Sequence, residues 1–90
     1  TAPAAVQSLL DRARQQYNAG QLDGAVASVE RALRIAPRYP DAYYELARLN
    51  FEQGNLQQAR ALASKSLSLG ASGSIARRAN DLIARCDRGR

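Results

Sequence analysis

The sequence predicts an all-α fold of five antiparallel helices, and three observations carry that prediction. Composition comes first: 46% of the residues are apolar, with one Phe, no Met and no Trp, and most of that apolar share is Ala and Leu. Both are strong helix formers, and β-branched residues are sparse. Second, apolar residues recur at helical spacing in five successive segments. Third, the chain echoes itself at a fixed offset of 34 residues, from Gly20 to Gly54, Ala13 to Ala47, Leu22 to Leu56, Ala25 to Ala59 and Leu33 to Leu67. Tyr17 and Phe51 are conservative partners at the same offset.

The first segment carries Val6, Leu9, Leu10, Ala13 and Tyr17 on one stripe. Gly20 suits a residue that leaves a helix in the left-handed conformation. The second segment carries Leu22, Ala25, Val26, Val29, Ala32 and Leu33, and Pro37 ends it. The short link makes these two an antiparallel hairpin. Pro40 fits the first turn of a third helix, where a missing N–H costs nothing. That helix shows Tyr43, Leu46, Ala47 and Phe51, and Gly54 closes it. The fourth shows Leu56, Ala59, Ala63, Ser66 and Leu67. After Gly70-Ala-Ser-Gly73, with Ser72 or Ser74 as the cap, the fifth shows Ile75, Ala79, Leu82, Ile83 and Cys86.

A 34-residue period, with a small residue and an aromatic before each Gly turn, resembles the tetratricopeptide repeat. The matching positions are Leu9, Ala13, Tyr17, Gly20, Ala25, Val29, Ala32 and Pro37 in one copy. In the other they are Tyr43, Ala47, Phe51, Gly54, Ala59, Ala63 and Ser66. Leu9 stands where the family has tryptophan, and the second copy lacks its terminal proline. The resemblance implies a right-handed α-solenoid forming a single domain over 1–90, with repeats at 6–39 and 40–73 and a capping helix at 74–87. A strict 34-residue offset puts Arg77 and Asp81 at core positions of the fifth helix. Matching Ile75 to Tyr43 and Ala79 to Ala47, with the loop two residues shorter, makes that helix apolar inward and charged outward. A repeat array needs such a cap to hide its last apolar face.

The family's first helices line a concave groove, so the resemblance implies a protein or peptide partner. Carried over position by position, the wall holds Leu10, Arg14 and Asn18, then Tyr44, Arg48 and Glu52, then Asn80 with Ala76 and Ala84 beside it. Arginine grips a carboxylate with paired donors, and tyrosine offers flat area with a polar tip. Together they suit an acidic peptide segment. Against this stands the plainer reading, in which Tyr44 covers a helix junction while Arg14 and Arg48 pair with Asp11, Glu45 or Glu52. The Lys/Asn pattern with which some family members clamp chaperone tails is absent. Arg14 and Leu10 occupy two of its places and Glu45, which repels a carboxylate, a third.

Other function classes have less to stand on. With no His, the commonest general base and metal ligand is missing. Cys86 falls on the apolar stripe and reads as a packing residue. Ser64 and Lys65 are helix neighbours that point apart. No phosphate-binding Gly motif, cofactor motif or metal-ligand spacing occurs. The sequence therefore predicts no enzyme, no cofactor and no small-molecule substrate.

Net charge is +5, with twelve Arg and one Lys. Arg77, Arg78, Arg85, Arg88 and Arg90 gather near the C-terminal end, where they give a weaker alternative, a salt-dependent contact with nucleic acid. A second alternative is self-association through Val6 and Leu9 or through the fifth helix. The Arg-rich, Lys-poor composition points to a bacterial setting. The Thr1-Ala-Pro-Ala-Ala5 start looks like the spacer of an envelope protein, hence an expected periplasmic address.

Overall fold

The computed structural model describes residues 3–89. Thr1 and Ala2, part of the spacer-like start, and Arg90 of the basic end lie outside the described residues. Five helices follow one another: α1 (Ala4–Asn18), α2 (Leu22–Ile35), α3 (Pro40–Glu52), α4 (Leu56–Ser68) and α5 (Gly73–Asp87). α1 packs on α2, α3 on α4 and α4 on α5, while α3 touches α1 on one side and α5 on the other. The molecule is thus a tetratricopeptide-type solenoid with α1, α3 and α5 side by side. Among the described residues, no helix is long and apolar enough to cross a membrane.

The repeat is visible in the turns, bond by bond. Gly20 has φ of 79° and Gly54 has φ of 84°. Such angles are left-handed and suit glycine, which has no Cβ to clash. Gly20 N–H donates to the Tyr17 carbonyl and Gly54 N–H to that of Phe51, both at 3.0 Å. The next residue closes a longer bond in each turn, Gln21 N–H to Gln16 at 2.8 Å and Asn55 N–H to Asn50 at 2.9 Å. These paired bonds satisfy carbonyls that a helix end leaves free. Between the hairpins, Pro40 opens α3 behind Tyr39. At α5, Ser72 takes the N-cap position without a side-chain hydrogen bond, and its carbonyl accepts from Ala76 N–H at 3.3 Å.

Two core clusters flank α3. The first joins Val6, Leu10, Ala13, Ala25, Val29 and Ala32 to Ala42 and Leu49 of α3. The second joins Tyr44, Ala47 and Phe51 of α3 to Ala59, Ala63, Ala79 and Leu82. α3 therefore buries two sides, because a central helix of a stack has a neighbour on each. Alanine at the contacts lets the helix axes come near the close end of the usual spacing, about 8 Å. In α5, Ala79 is fully buried while Arg77 and Asp81 are exposed.

Polar ties fix the pieces. Buried Ser66 donates to the Pro40 carbonyl at 2.8 Å, pinning α4 to the start of α3. Buried Ser28 donates to Gln16 Oε1 at 2.7 Å, joining α2 to α1. Arg60 Nε donates to Asp87 Oδ1 at 2.7 Å, fastening the last turn of α5 to α4. Val6, half of the surface expected for self-association, is fully buried and cannot stack on a second copy. Its helix face is consumed by the first cluster.

Candidate partner-binding groove

Because α1, α3 and α5 lie side by side, their facing side chains enclose an open cavity of about 350 Å³. Tyr17 lines it from α1; Tyr44, Arg48, Phe51 and Glu52 line it from α3; Arg78, Asp81, Leu82 and Arg85 line it from α5. Three aromatic rings and Leu82 share the lining with five charged groups.

Beneath the groove lies a buried carboxylate. Glu45 is 3% exposed and is clasped by guanidinium groups from two helices. Arg14 Nε donates to its Oε2 at 3.0 Å, and Arg48 Nη2 donates to its Oε1 at 3.1 Å. Arg14 Nη1 also reaches Asp11 at 2.7 Å. A carboxylate taken out of water needs such donors, since an unpaired buried charge is costly. The Arg48 guanidinium lies over the Tyr17 ring, 4.4 Å from its centroid. Its Nε is buried with no hydrogen-bond partner. A second stacked pair sits across the groove, with Arg85 over the Phe51 ring at 4.6 Å. Each ring holds a guanidinium flat by cation–π attraction.

Burial pushes the Tyr44 phenol above its ordinary pKa; Arg48 pulls it down, Glu45 pushes it up, and Arg78 and Arg85 pull it down. Three arginines from two helices thus surround one phenol. At Cys86, burial raises the thiol and Asp87 raises it further, opposed by Arg60 and Arg85. The thiol stays protonated at neutral pH, which suits packing rather than attack.

Of the seven groove positions expected from sequence, three line the cavity: Tyr44, Arg48 and Glu52. Four do not. Leu10 is fully buried in the first cluster, a correction with a simple cause: α1 turns that face onto α2 and α3. Arg14 is spent on Asp11 and Glu45, as the plainer reading held. Asn18 is exposed at the end of α1, away from the cavity. Asn80 is exposed and donates to the Ala76 carbonyl within α5 at 3.1 Å.

Tyr17 and Phe51 are packing residues, as the sequence indicates, that also line the cavity, a second role that sequence reasoning did not show; nor did it place Arg78, Asp81, Leu82 and Arg85 of α5 there. The signal was present. Adding 34 to Tyr44, Arg48 and Phe51 gives Arg78, Leu82 and Arg85, all in the groove. The core of α5 keeps the shortened offset through Ala79, while its groove face keeps the full repeat.

The tetratricopeptide repeat family model matches residues 16–72. Among solved structures, the globular C-terminal domain of P. aeruginosa LpoP is similar, with 36% identity and a TM-score of 0.91. That likeness covers 99% of this chain and 85% of the other. No curated protein matches. With its glycine-turned helix pairs and this match over more than half its length, the chain belongs to the tetratricopeptide repeat family, whose members are protein–protein interaction modules.

Proposed function

We propose that the chain recognises a partner protein by taking a peptide segment into the groove between α1, α3 and α5. One observation carries this reading: an open cavity of about 350 Å³ lined by three aromatic rings and five charged groups, in a chain of an interaction family. That volume is at the low end for recognition pockets, roughly 300–1,000 Å³, and holds two or three side chains. Arg78 and Arg85, which line the cavity with Tyr44 and take part in none of the ion pairs among the described residues, favour an acidic segment. A bacterial setting accords with the likeness to a P. aeruginosa domain, and a cell-envelope location is proposed with it.

The test compares two double charge reversals at exposed sites. Arg78→Glu with Arg85→Glu alters the groove; Arg31→Glu with Arg34→Glu alters the outer face of α2. A partner captured by the wild type is expected to be lost by the first and kept by the second. Retention by the groove variant sinks the reading. The pair Arg14 and Arg48 is a poorer choice, because removing either leaves Glu45 short of a donor and confuses binding with stability.

A further inference from the structure

The charged groups of the groove are not equally available. Arg48 already serves Glu45 and Tyr17. Arg78, Arg85, Glu52 and Asp81 take part in none of the ion pairs among the described residues. The Arg85 guanidinium lies over the Phe51 ring, 4.6 Å from its centroid, a contact that reduces the freedom it loses on binding. Arg78 lies seven residues earlier, two turns away on the same face of α5. Tyr44 faces them from α3, 8% exposed, and its hydroxyl has no hydrogen-bond partner among the described residues. A neutral phenol is a donor, and burial keeps this one neutral.

Arg78, Arg85 and Tyr44 therefore line one cavity, two guanidinium groups and one hydroxyl donor. We infer that this space seats a single carboxylate from an Asp or Glu side chain of the partner, held by Tyr44, Arg78 and Arg85. An apolar neighbour in the partner's chain rests against Tyr17, the half-buried ring of the lining. Charge decides for a carboxylate over a phosphate. Arg48 is balanced by Glu45, so the unpaired lining charges are Arg78 and Arg85 against Glu52 and Asp81, and the single charge of a carboxylate leaves the smaller excess. A phosphate, with a charge of about −2, leaves the larger excess of negative charge beside Glu52 and Asp81. The inference rests on the groove reading above and names what the groove reads.

The experiment titrates isotope-labelled protein with acetyl-Glu-Phe-amide and follows backbone and Arg Nε resonances. Tyr44, Arg78 and Arg85 are expected to shift together. Acetyl-Gln-Phe-amide, the neutral isostere, is expected to bind roughly tenfold more weakly, the loss of one charge-assisted contact. Arg78→Gln and Arg85→Gln, both at exposed positions, each bring the Glu peptide down to the level of the Gln peptide. Tyr44→Phe weakens the Glu peptide alone. Equal binding of the Gln peptide, with shifts still in the groove, overturns the carboxylate seat while the groove reading stands. Tighter binding of a phosphoserine peptide overturns it in favour of phosphate. A Gln-Phe peptide with a free C-terminus that matches the Glu peptide shows a seat for chain ends instead. Shifts that avoid the groove with every peptide overturn both readings.

Discussion

At the scale of single residues, Glu45 organises the inner face. It is buried at 3% exposure, and its two oxygens bind guanidinium groups from α1 and α3. It thereby ties the first hairpin to the second and orients Arg48 on Tyr17. Glu45→Gln keeps the volume and removes the charge. Arg14 and Arg48 remain 40% and 29% exposed, so they can rehydrate, which limits the penalty. The expected loss is about 1.5–3 kcal/mol, the range for hydrogen bonds to charged groups. A lower urea midpoint at unchanged slope is the sign to look for; an unchanged midpoint means the clasp contributes nothing. Sequence reasoning named these partners but assigned Arg14 and Arg48 to the ligand. A one-dimensional pattern places charges on a helix face; it does not show which carboxylate of the next helix is within reach.

At the scale of elements, α5 is where pattern and structure part. Its apolar stripe was legible, and Ala79 and Leu82 are buried. Its groove face was not, because two registers of the repeat compete in the sequence, and packing on α3 and α4 decides which residues line the cavity. The end of α5 is fastened by Arg60 to Asp87. That hydrogen bond holds the Asp87 carboxyl below its ordinary value. A depressed folded-state pKa stabilises above the unfolded value, about 3.9, and the benefit is lost as pH falls through the folded value. Acidification below the carboxylate range is therefore expected to speed amide exchange in the last turn of α5. Asp87→Asn removes that extra pH dependence. The pair is exposed, so the effect stays local and small. Identical exchange profiles in the two proteins across that range argue against the tether.

At the scale of the whole molecule, α5 completes a core that α3 and α4 begin. The second cluster depends on α5, which supplies Ala79 and Leu82 to a core otherwise made by α3 and α4. A chain ending at Gly70 uncovers Phe51 and removes the third wall of the groove. A solenoid without its cap exposes an apolar face. The truncated chain is expected to lose cooperative unfolding and to self-associate, as read by circular dichroism and light scattering. A monomer that unfolds as sharply as the full chain contradicts the capping role.

By itself the sequence determined the helices, their hairpin pairing and the family, because these follow from local causes. Gly at 20 and 54 ends helices through φ, Pro40 starts one, and small residues at a 34-residue period set close packing. Tertiary structure decided which residues face the groove. Leu10 and Arg14 sit on the same helix as Tyr17 at plausible spacings, yet the first is in the core, the second is bound to Glu45, and only Tyr17 opens to the cavity. Helix rotation and reach across helices make that choice. Both depend on the volumes and charges of neighbours far away in the chain, and no local pattern records them.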